Sequence, residues 1–591
     1  MVVKLAECEF ELFSIGLSDE EFTSQMFSHS VSFRIFLQMR YSVAALPLVL
    51  TASLLSACSR FDASSSTTVP DESVLINQIA SHCTDLDAPE LGDGKLCIDN
   101  GFRVTADDFS FANWGRSQKA DANVTVQTLI DLFGHSAVCL DGPQSECVLR
   151  PTTTQKLEEW NNALAGGRCE GLSTLSTRFF LKLDEPSQFR SSASEVADLE
   201  RNDKALSSSI VYWWATQFLT EVSDRAATSR QQSPLQLVDN LIQGLANRIG
   251  YTVGLYFGSS GHSVTPFAVT QRSASFVVHV YDNNTPGIRR EIVVDSQTNT
   301  WSYDAASSNP NTKTTSWSGG TGSIELTPMS ARQGPFECSF CTTVQPNDPT
   351  IITLASRDPQ APGYLTIVTR NGQRIEASTT SVLNEIDGAE YRVSKGATGG
   401  LVTVVIPQSV TDFDVEVRRG SSVVPAGDVV VNMRRPSMPS IQVSGNLAHG
   451  VIGGATSSPS LLAVRKEATS VKAPLTNSAR VSIAAGSGLT RTELATGLTL
   501  LIKQISTESI EVALKGANGS VISSTELDAS QKQSVSEITL ALSNEGSLVT
   551  TRAASAPVPV MVQPTVNFTP GRAPTTPSST VPSSIVIALP D

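Results

Sequence analysis

The sequence predicts an α+β domain followed by one or two all-β, sandwich-like modules and a disordered tail. Three observations carry this. All six tryptophans (Trp114, Trp160, Trp213, Trp214, Trp301 and Trp317) lie between residues 114 and 317 of the 591-residue chain, so the large, well-specified core belongs to roughly the first half. Within that half, apolar residues recur at helical spacing as far as residue 249 and alternate at period two beyond it. Helices first and an antiparallel sheet second is an α+β order. After Cys341 there is neither Trp nor Cys, and short β-branched segments succeed one another between turns.

The elements come in chain order. Residues 1–57 read as an upstream segment and export signal, and 58–80, with its SSSTTVP run, as a tether. The α+β domain is expected over 81–345. It opens with a loop-like stretch, 81–122, whose Phe and Trp residues pack on the rest of the domain. Helices are expected over 124–133, ended by Gly134; over 154–165, with Leu157, Trp160 and Leu164 on one face; and over 170–181, with Leu172, Leu175 and Phe179 aligned. One buried helix is expected over 205–223, and another over 234–249, with Ser233 as N-cap and Pro234 at the first helical position. Strands are expected over 252–257, 262–270, 275–281, 290–295 and 300–303.

Segments 350–356, 364–370, 374–378, 390–395, 401–407, 413–419 and 428–434 then read as strands of a β-sandwich module spanning 346–435. Residues 436–475 read as a linker and 476–552 as a second β-rich module. The last stretch, 553–591, is a Pro/Ser/Thr-rich tail, with eight prolines from 556 onward.

Composition narrows the function. Charged residues make up 17% of the chain, below the usual ~25%, and the net charge is −14. An acidic chain argues against nucleic-acid binding, which needs a basic face. It also argues against a polybasic membrane patch. Residues 42–57 (SVAALPLVLTASLLSA) carry no charge. Sixteen residues are too few for a membrane span, which needs about 20, but suit the apolar part of a signal peptide. The run ends in Leu55-Ser56-Ala57-Cys58, with Arg40 upstream and the Ser/Thr-rich tether downstream, and it resembles a bacterial lipobox. That resemblance implies a lipid on Cys58, a membrane partner through that anchor, and residence in the bacterial cell envelope. Ser59 points to the outer membrane. Residues 1–38 are acidic, unlike a signal peptide's start, and translation is expected from Met26 or Met39.

Of the nine cysteines, Cys8 precedes the expected start and Cys58 is the lipid site. In an oxidising compartment the rest favour disulfides. Neighbour pairing, Cys83–Cys97, Cys139–Cys147 and Cys338–Cys341, is the simplest of the 15 connectivities six cysteines allow. It leaves Cys169 over. A zinc site at Cys338-Ser339-Phe340-Cys341 lacks a second ligand pair nearby.

Three stretches carry chemistry. Gly166-Gly167-Arg168-Cys169-Glu170-Gly171 delivers a cysteine to the first turn of a helix, where unpaired N–H groups favour the reactive thiolate. Arg168 adds positive charge there and Glu170 opposes it. Gly261-His262-Ser263 places a histidine at the start of a strand, in position to move the thiol proton. Tyr281-Asp282-Asn283-Asn284 ends the next strand twenty residues later, and Asp282 or Asn283 would fix the ring's tautomer. His135 and His279 fit less well: the first precedes the cysteine, and the second lies mid-strand on the face opposite Asp282, as a packing residue.

A cysteine opening a helix, with His and Asp/Asn on successive strands, resembles the papain-like cysteine peptidase superfamily. The stretches WNNALAGGRCEGLSTLS, GHSVTPFAV and VYDNNTPG look like a bacterial envelope branch of it. The resemblance spans about residues 83–345. It implies Cys169 as nucleophile, His262 as base and Asp282 as orienting residue, with Asn283 as the competing choice. The family's oxyanion glutamine falls on Ala163; Gln155, Asn161 or Asn162 would have to replace it. The expected function is that of a surface-anchored thiol hydrolase, a cysteine peptidase acting on a peptide or protein through an acyl-enzyme, with no metal or cofactor. The alternatives are a catalytically inactive adhesion or scaffold lipoprotein and a Cys-dependent acyl transferase.

Overall fold

A computed structural model describes residues 71–559, apart from short stretches of which 116–121, 307–314, 421–426, 452–459 and 529–535 are the longest. The export signal, Cys58 and most of the expected tail lie outside the described residues. A helical region is followed by antiparallel sheets, an α+β arrangement leading into an all-β one.

The first helix, α1 (Glu72–His82), corrects the expected tether. Leu75 and Ile79, four residues apart, form a buried stripe, and Ile79 joins the core of the following sheet. The disulfide Cys83–Cys97 then ties its end to strand β1 (Lys95–Asp99). Helix α2 (Val126–Phe133) starts at Thr125, which forms a reciprocal capping box with Thr128. Helix α3 (Pro151–Ala163) has proline in its first turn, where no N–H is missed. A single 3₁₀ turn, Leu164–Gly166, leads into α4 (Cys169–Phe180), with ten of its twelve residues buried.

The single helix expected over 205–223 is two, α5 (Lys204–Ala215) and α6 (Thr220–Arg230). The break has no Gly or Pro signal. Side chains make it: the Thr216 hydroxyl donates to Trp213 O at 2.6 Å and the Gln217 amide to Trp214 O at 3.0 Å, capping carbonyls that a continuing helix would use. Helix α7 (Pro234–Ala246) begins with the Ser233/Gln236 capping box.

The sheet of this domain is built on one long strand. Strands β2 (Tyr251–Phe257), β3 (Ser260–Arg272), β4 (Ser275–Tyr281), β5 (Arg289–Asp295), β6 (Thr300–Ala306), β7 (Thr315–Gly319) and β8 (Ile324–Pro328) succeed one another in sequence. The path β1-β3-β4-β5-β6-β7 forms one wing, and β2, paired to both β3 and β8, forms the other. Two wings share β3 because its register shifts between Pro266 and Ala268, where proline has no N–H to offer. Helices α4 and α7 both pack on β3, so residues 260–270 are all buried.

Beyond residue 350 the strands match the expected seven closely, but the linker expected over 436–475 is a correction. Ser440–Gly445, His449–Val451, Leu462–Arg465 and Ala468–Lys472 are strands. Ser440–Gly445 pairs with Val429–Arg434 on one side and Ala479–Ala485 on the other, so the two expected modules share a sheet. Phe413–Arg419, Leu462–Arg465, Ala468–Lys472 and Thr499–Gln504 join them likewise in the second sheet. One apolar core runs from Ile352 to Leu514. The buried residues of these strands (Ile441, Val443, Leu462, Val464 and Val471) sit among Gly, Ser and Pro, which masked a period-two signal only two or three residues deep. The expected tail is also shortened: Leu548–Ala554 closes the first sheet, and Val558–Pro559 pairs with Glu146–Cys147.

The sandwich is seated on the α+β domain through α3. Gln155 donates to Ser482 O at 3.0 Å and accepts at its backbone carbonyl from Gln442 at 2.8 Å, while Thr353 donates to Glu159 at 2.6 Å.

Helix α4 lies close on α5. A Cβ at Gly171 would stand 2.0 Å from Ile210 O. Gly171→Ala is therefore expected to lower stability by at least about 2 kcal/mol, as overpacked contacts do. Urea unfolding measures it, and an unchanged midpoint would contradict the packing described.

Candidate active site

The 3₁₀ turn ends at Gly167, whose φ of +132° only glycine adopts without strain. That reversal presents Cys169 as the first residue of α4. The remaining six described cysteines form the disulfides Cys83–Cys97, Cys139–Cys147 and Cys338–Cys341, and Cys169 is the free thiol among them. Its side chain is fully buried.

The two charges beside it are both committed elsewhere. Arg168 turns away and donates to backbone carbonyls of Trp114, Gly115, Ala122 and Leu164, with its guanidinium 5.0 Å above the Trp114 ring. Burial pushes its pKa down to about 9. Glu170 points the other way, to Arg332 and, at 3.0 Å, to Lys395. Burial alone would raise its pKa; Lys395 and then Arg332 overcome that and hold it down to about 2. The expected contest between Arg168 and Glu170 at the thiol therefore resolves into two separate anchors of the helix start.

His262 lies on β3 and Asp282 just after β4. Their side chains meet in the interior: Nε2 is 2.8 Å from Oδ1. Asp282 is further held by the Tyr303 hydroxyl, donating to Oδ2 at 2.6 Å from β6, and by the Asn284 backbone N–H at 2.8 Å. Burial opposes charge on both groups. On His262 the Asp282 carboxylate overcomes it, with a smaller contribution from the adjacent Cys169, and the ring's pKa is pushed up to about 10. On Asp282, His262 and then Tyr303 hold the carboxyl below its ordinary value. Nδ1, the ring nitrogen not held by Asp282, has no hydrogen-bond partner among the described residues.

Asn283, the competing orienting residue, does not bond the ring. Its amide donates to Cys169 O at 3.2 Å, Ser173 Oγ at 3.0 Å and Ser263 O at 2.9 Å, pinning the strand end to α4. The three candidate oxyanion donors are also occupied elsewhere. Gln155 faces the sandwich, Asn161 pairs with the Val124 backbone, and Asn162 donates to Glu158 O.

Sequence reasoning missed two residues at the site. Asn113 is buried beside the turn that carries Cys169; its Oδ1 accepts from the Arg168 N–H at 2.7 Å and its Nδ2 donates to Asn284 at 3.0 Å, linking the thiol side to the Asp282 side. Its place in the stretch DDFSFANWG, polar residues among aromatics before the helices, was the available signal. Tyr303 carried none, since a tyrosine in an alternating strand reads as core.

His279 is a packing residue, hydrogen-bonded to Thr270 at 3.0 Å, and burial lowers its pKa to about 4. His135 lies close to Cys139 and Cys147, but the disulfide between those two leaves no thiolates for a metal.

Compared with known proteins, the chain matches no family model, no curated protein and no solved structure.

The raised pKa of His262 makes stability depend on pH. A ring at about 10 in the fold and about 6.5 unfolded stabilises fully below pH 6.5, and that contribution disappears as pH rises towards 10. Stability measured by urea unfolding is expected to fall across this window. His262→Gln should flatten that slope.

Proposed function

We propose that this chain is a thiol hydrolase of papain-like type, acting on peptide bonds, with Cys169 as nucleophile, His262 as acid–base and Asp282 as the residue orienting the ring. The observation that carries this reading is the buried Asp282–His262 pair, 2.8 Å apart, beside the free thiol that opens α4. A carboxylate on one ring nitrogen leaves the other to serve the sulfur, which is the division of labour a nucleophilic triad needs. In this reading the Cys169 thiolate attacks the carbonyl carbon of a peptide. The His262 imidazolium passes its proton to the departing amine, and water then hydrolyses the thioester with His262 as base. The backbone N–H of Cys169, at the start of α4, is the donor this scheme supplies for the developing oxyanion. No residue in this scheme calls for a metal or cofactor. An amine in place of water would make the same machinery an acyl transferase. The lipobox resemblance supports an enzyme of the bacterial envelope, tethered through Cys58.

One observation favours the rival reading, an inactive domain serving as scaffold or adhesion module. Cys169 and His262 are both fully buried, so substrate cannot reach them as the chain stands. The cover comes from the chain itself, from residues 394–396, and it leaves the buried His–Asp–Tyr chain complete. An inactive domain has no need of that chain.

Alkylation by chloroacetamide tests the assignment. His262→Ala is expected to slow modification of Cys169 by about 100-fold, the lower range for loss of an acid–base partner. Asp282→Asn should slow it as well. Peptide mapping locates the adduct. Equal rates in wild type and His262→Ala, at matched thermal stability, would remove Cys169 from the role.

A further inference from the structure

The cover over Cys169 is not a generic interdomain loop. After strand Glu390–Val393 of the sandwich, the chain leaves its sheet and crosses the α+β domain before returning as Leu401–Ile406. In crossing, Ala397–Thr398 pairs antiparallel with Gly261 and Ser260, the residues immediately before His262. The Gly396 N–H donates to Gly261 O at 3.0 Å.

Gly396 lies directly over the nucleophile. A Cβ built on it would stand 3.5 Å from Cys169 Sγ and 2.9 Å from Gly167 O. Its φ of +112° is itself glycine territory. The walls of the seat are glycines too. A Cβ on Gly167 would stand 3.0 Å from Gly396 O, and one on Gly261 would stand 2.4 Å from Ser394 O. An extended backbone is thus held between the turn that carries Cys169 and the strand that carries His262.

The residue before Gly396 anchors it. Lys395 is 3% exposed; its ammonium sits 2.8 Å from Glu325 and 3.0 Å from Glu170, and its backbone N–H donates to Gln217 at 2.8 Å. Burying a lysine is costly unless carboxylates meet it. Here the acids belong to the α+β domain: Glu170 adjoins the nucleophile and Glu325 lies on β8.

We propose that residues 394–398 are a pseudosubstrate carried by the β-sandwich. They hold the peptide seat of the cleft, keep Cys169 out of reach until displaced, and report what the seat accepts: an extended peptide with glycine over the sulfur and a basic residue before it. This rests on the reading of Cys169 as nucleophile for its meaning, though not for its geometry.

The full chain tests this through the rate of Cys169 alkylation by chloroacetamide. Gly396→Val, whose side chain collides with the Gly167 carbonyl, is expected to raise that rate at least tenfold. Lys395→Met, which removes the anchoring charge, should do the same. The peptide Ser-Lys-Gly-Ala-Thr, as its acetylated amide, should then slow alkylation of the Gly396→Val chain, and its Ser-Lys-Val-Ala-Thr counterpart should not. Because Lys395→Met also strands two carboxylates, at a cost that can unfold the chain, amide hydrogen exchange on the unaltered protein gives an independent readout. The Gly396 amide should exchange at least tenfold more slowly than in the free peptide. Free-peptide exchange at Gly396, or wild-type alkylation as fast as in a folded Gly396→Val chain, would overturn the inference. So would recovery of the wild-type chain cut after Gly396, since the segment would then be a substrate. Unmasked alkylation that ignores His262→Ala would uphold the cover and remove only the nucleophile reading.

Discussion

The buried charges around Glu170 hold the molecule's functional parts in place. Glu170, Arg332, Glu325 and Lys395 come from α4, the turn after β8, β8 itself and the sandwich, and each is at most 3% exposed. Arg230 adds a further contact to Glu325 at 2.7 Å. Charges this deep are tolerable only as a matched set, because desolvation costs each of them several kcal/mol and only a partner restores it. Lys395 is the sandwich's sole contribution among these groups, and its ammonium reaches both carboxylates only when the sandwich is docked. Docking, the position of α4 and the cover on Cys169 are therefore one event. They are not three independent features.

That coupling explains why the site is so heavily braced from behind. Arg168 clasps the carbonyls of Trp114, Gly115 and Ala122, Asn283 sews the end of β4 to α4, and Asn113 joins the thiol turn to Asn284. None of these touches the ring of His262. Each fixes an element that carries Cys169, His262 or Asp282, so the Cys169 and His262 sides cannot drift apart. A site assembled from a helix start and two strands depends on such ties more than one built on a single element.

The legible part of this was local. The helix start at Ser233 and Pro234 came from capping chemistry, and period two marked β2 to β6 and seven strands of the sandwich. Cys169, His262 and Asp282 stood out because a reactive residue type coincided with an element boundary in each case. What escaped was non-local or too short. The break between α5 and α6 depends on Thr216 and Gln217 folding back on carbonyls, which leaves no pattern in spacing. The strands inside 436–475 are three to six residues long, and each pairs on one side with a strand 27 to 51 residues away. Lys395 closed the expected strand 390–395 and carried no signal of its own. Its burial is a property of two acids from elsewhere in the chain.

The choice between a latent enzyme and an inactive scaffold turns on what each would retain. A domain kept only for binding gains nothing from His262 at full burial. An imidazolium–carboxylate pair in the interior is stabilising only relative to its own broken halves, and apolar residues of similar volume serve at least as well. The Asp282 carboxylate is nonetheless held by three donors, and the ring nitrogen it leaves free lies beside the one free thiol of the described chain. The cover over that thiol is likewise narrower than a sealed core requires. Position 396 has no room for a side chain, so the segment presents bare backbone between two further glycines, in pairing register with the strand that bears His262. Backbone pairing across a cleft is the means by which an extended peptide is recognised without regard to most of its side chains. On the proposed reading, a seat that holds its own cover in this way has kept the geometry for holding another peptide.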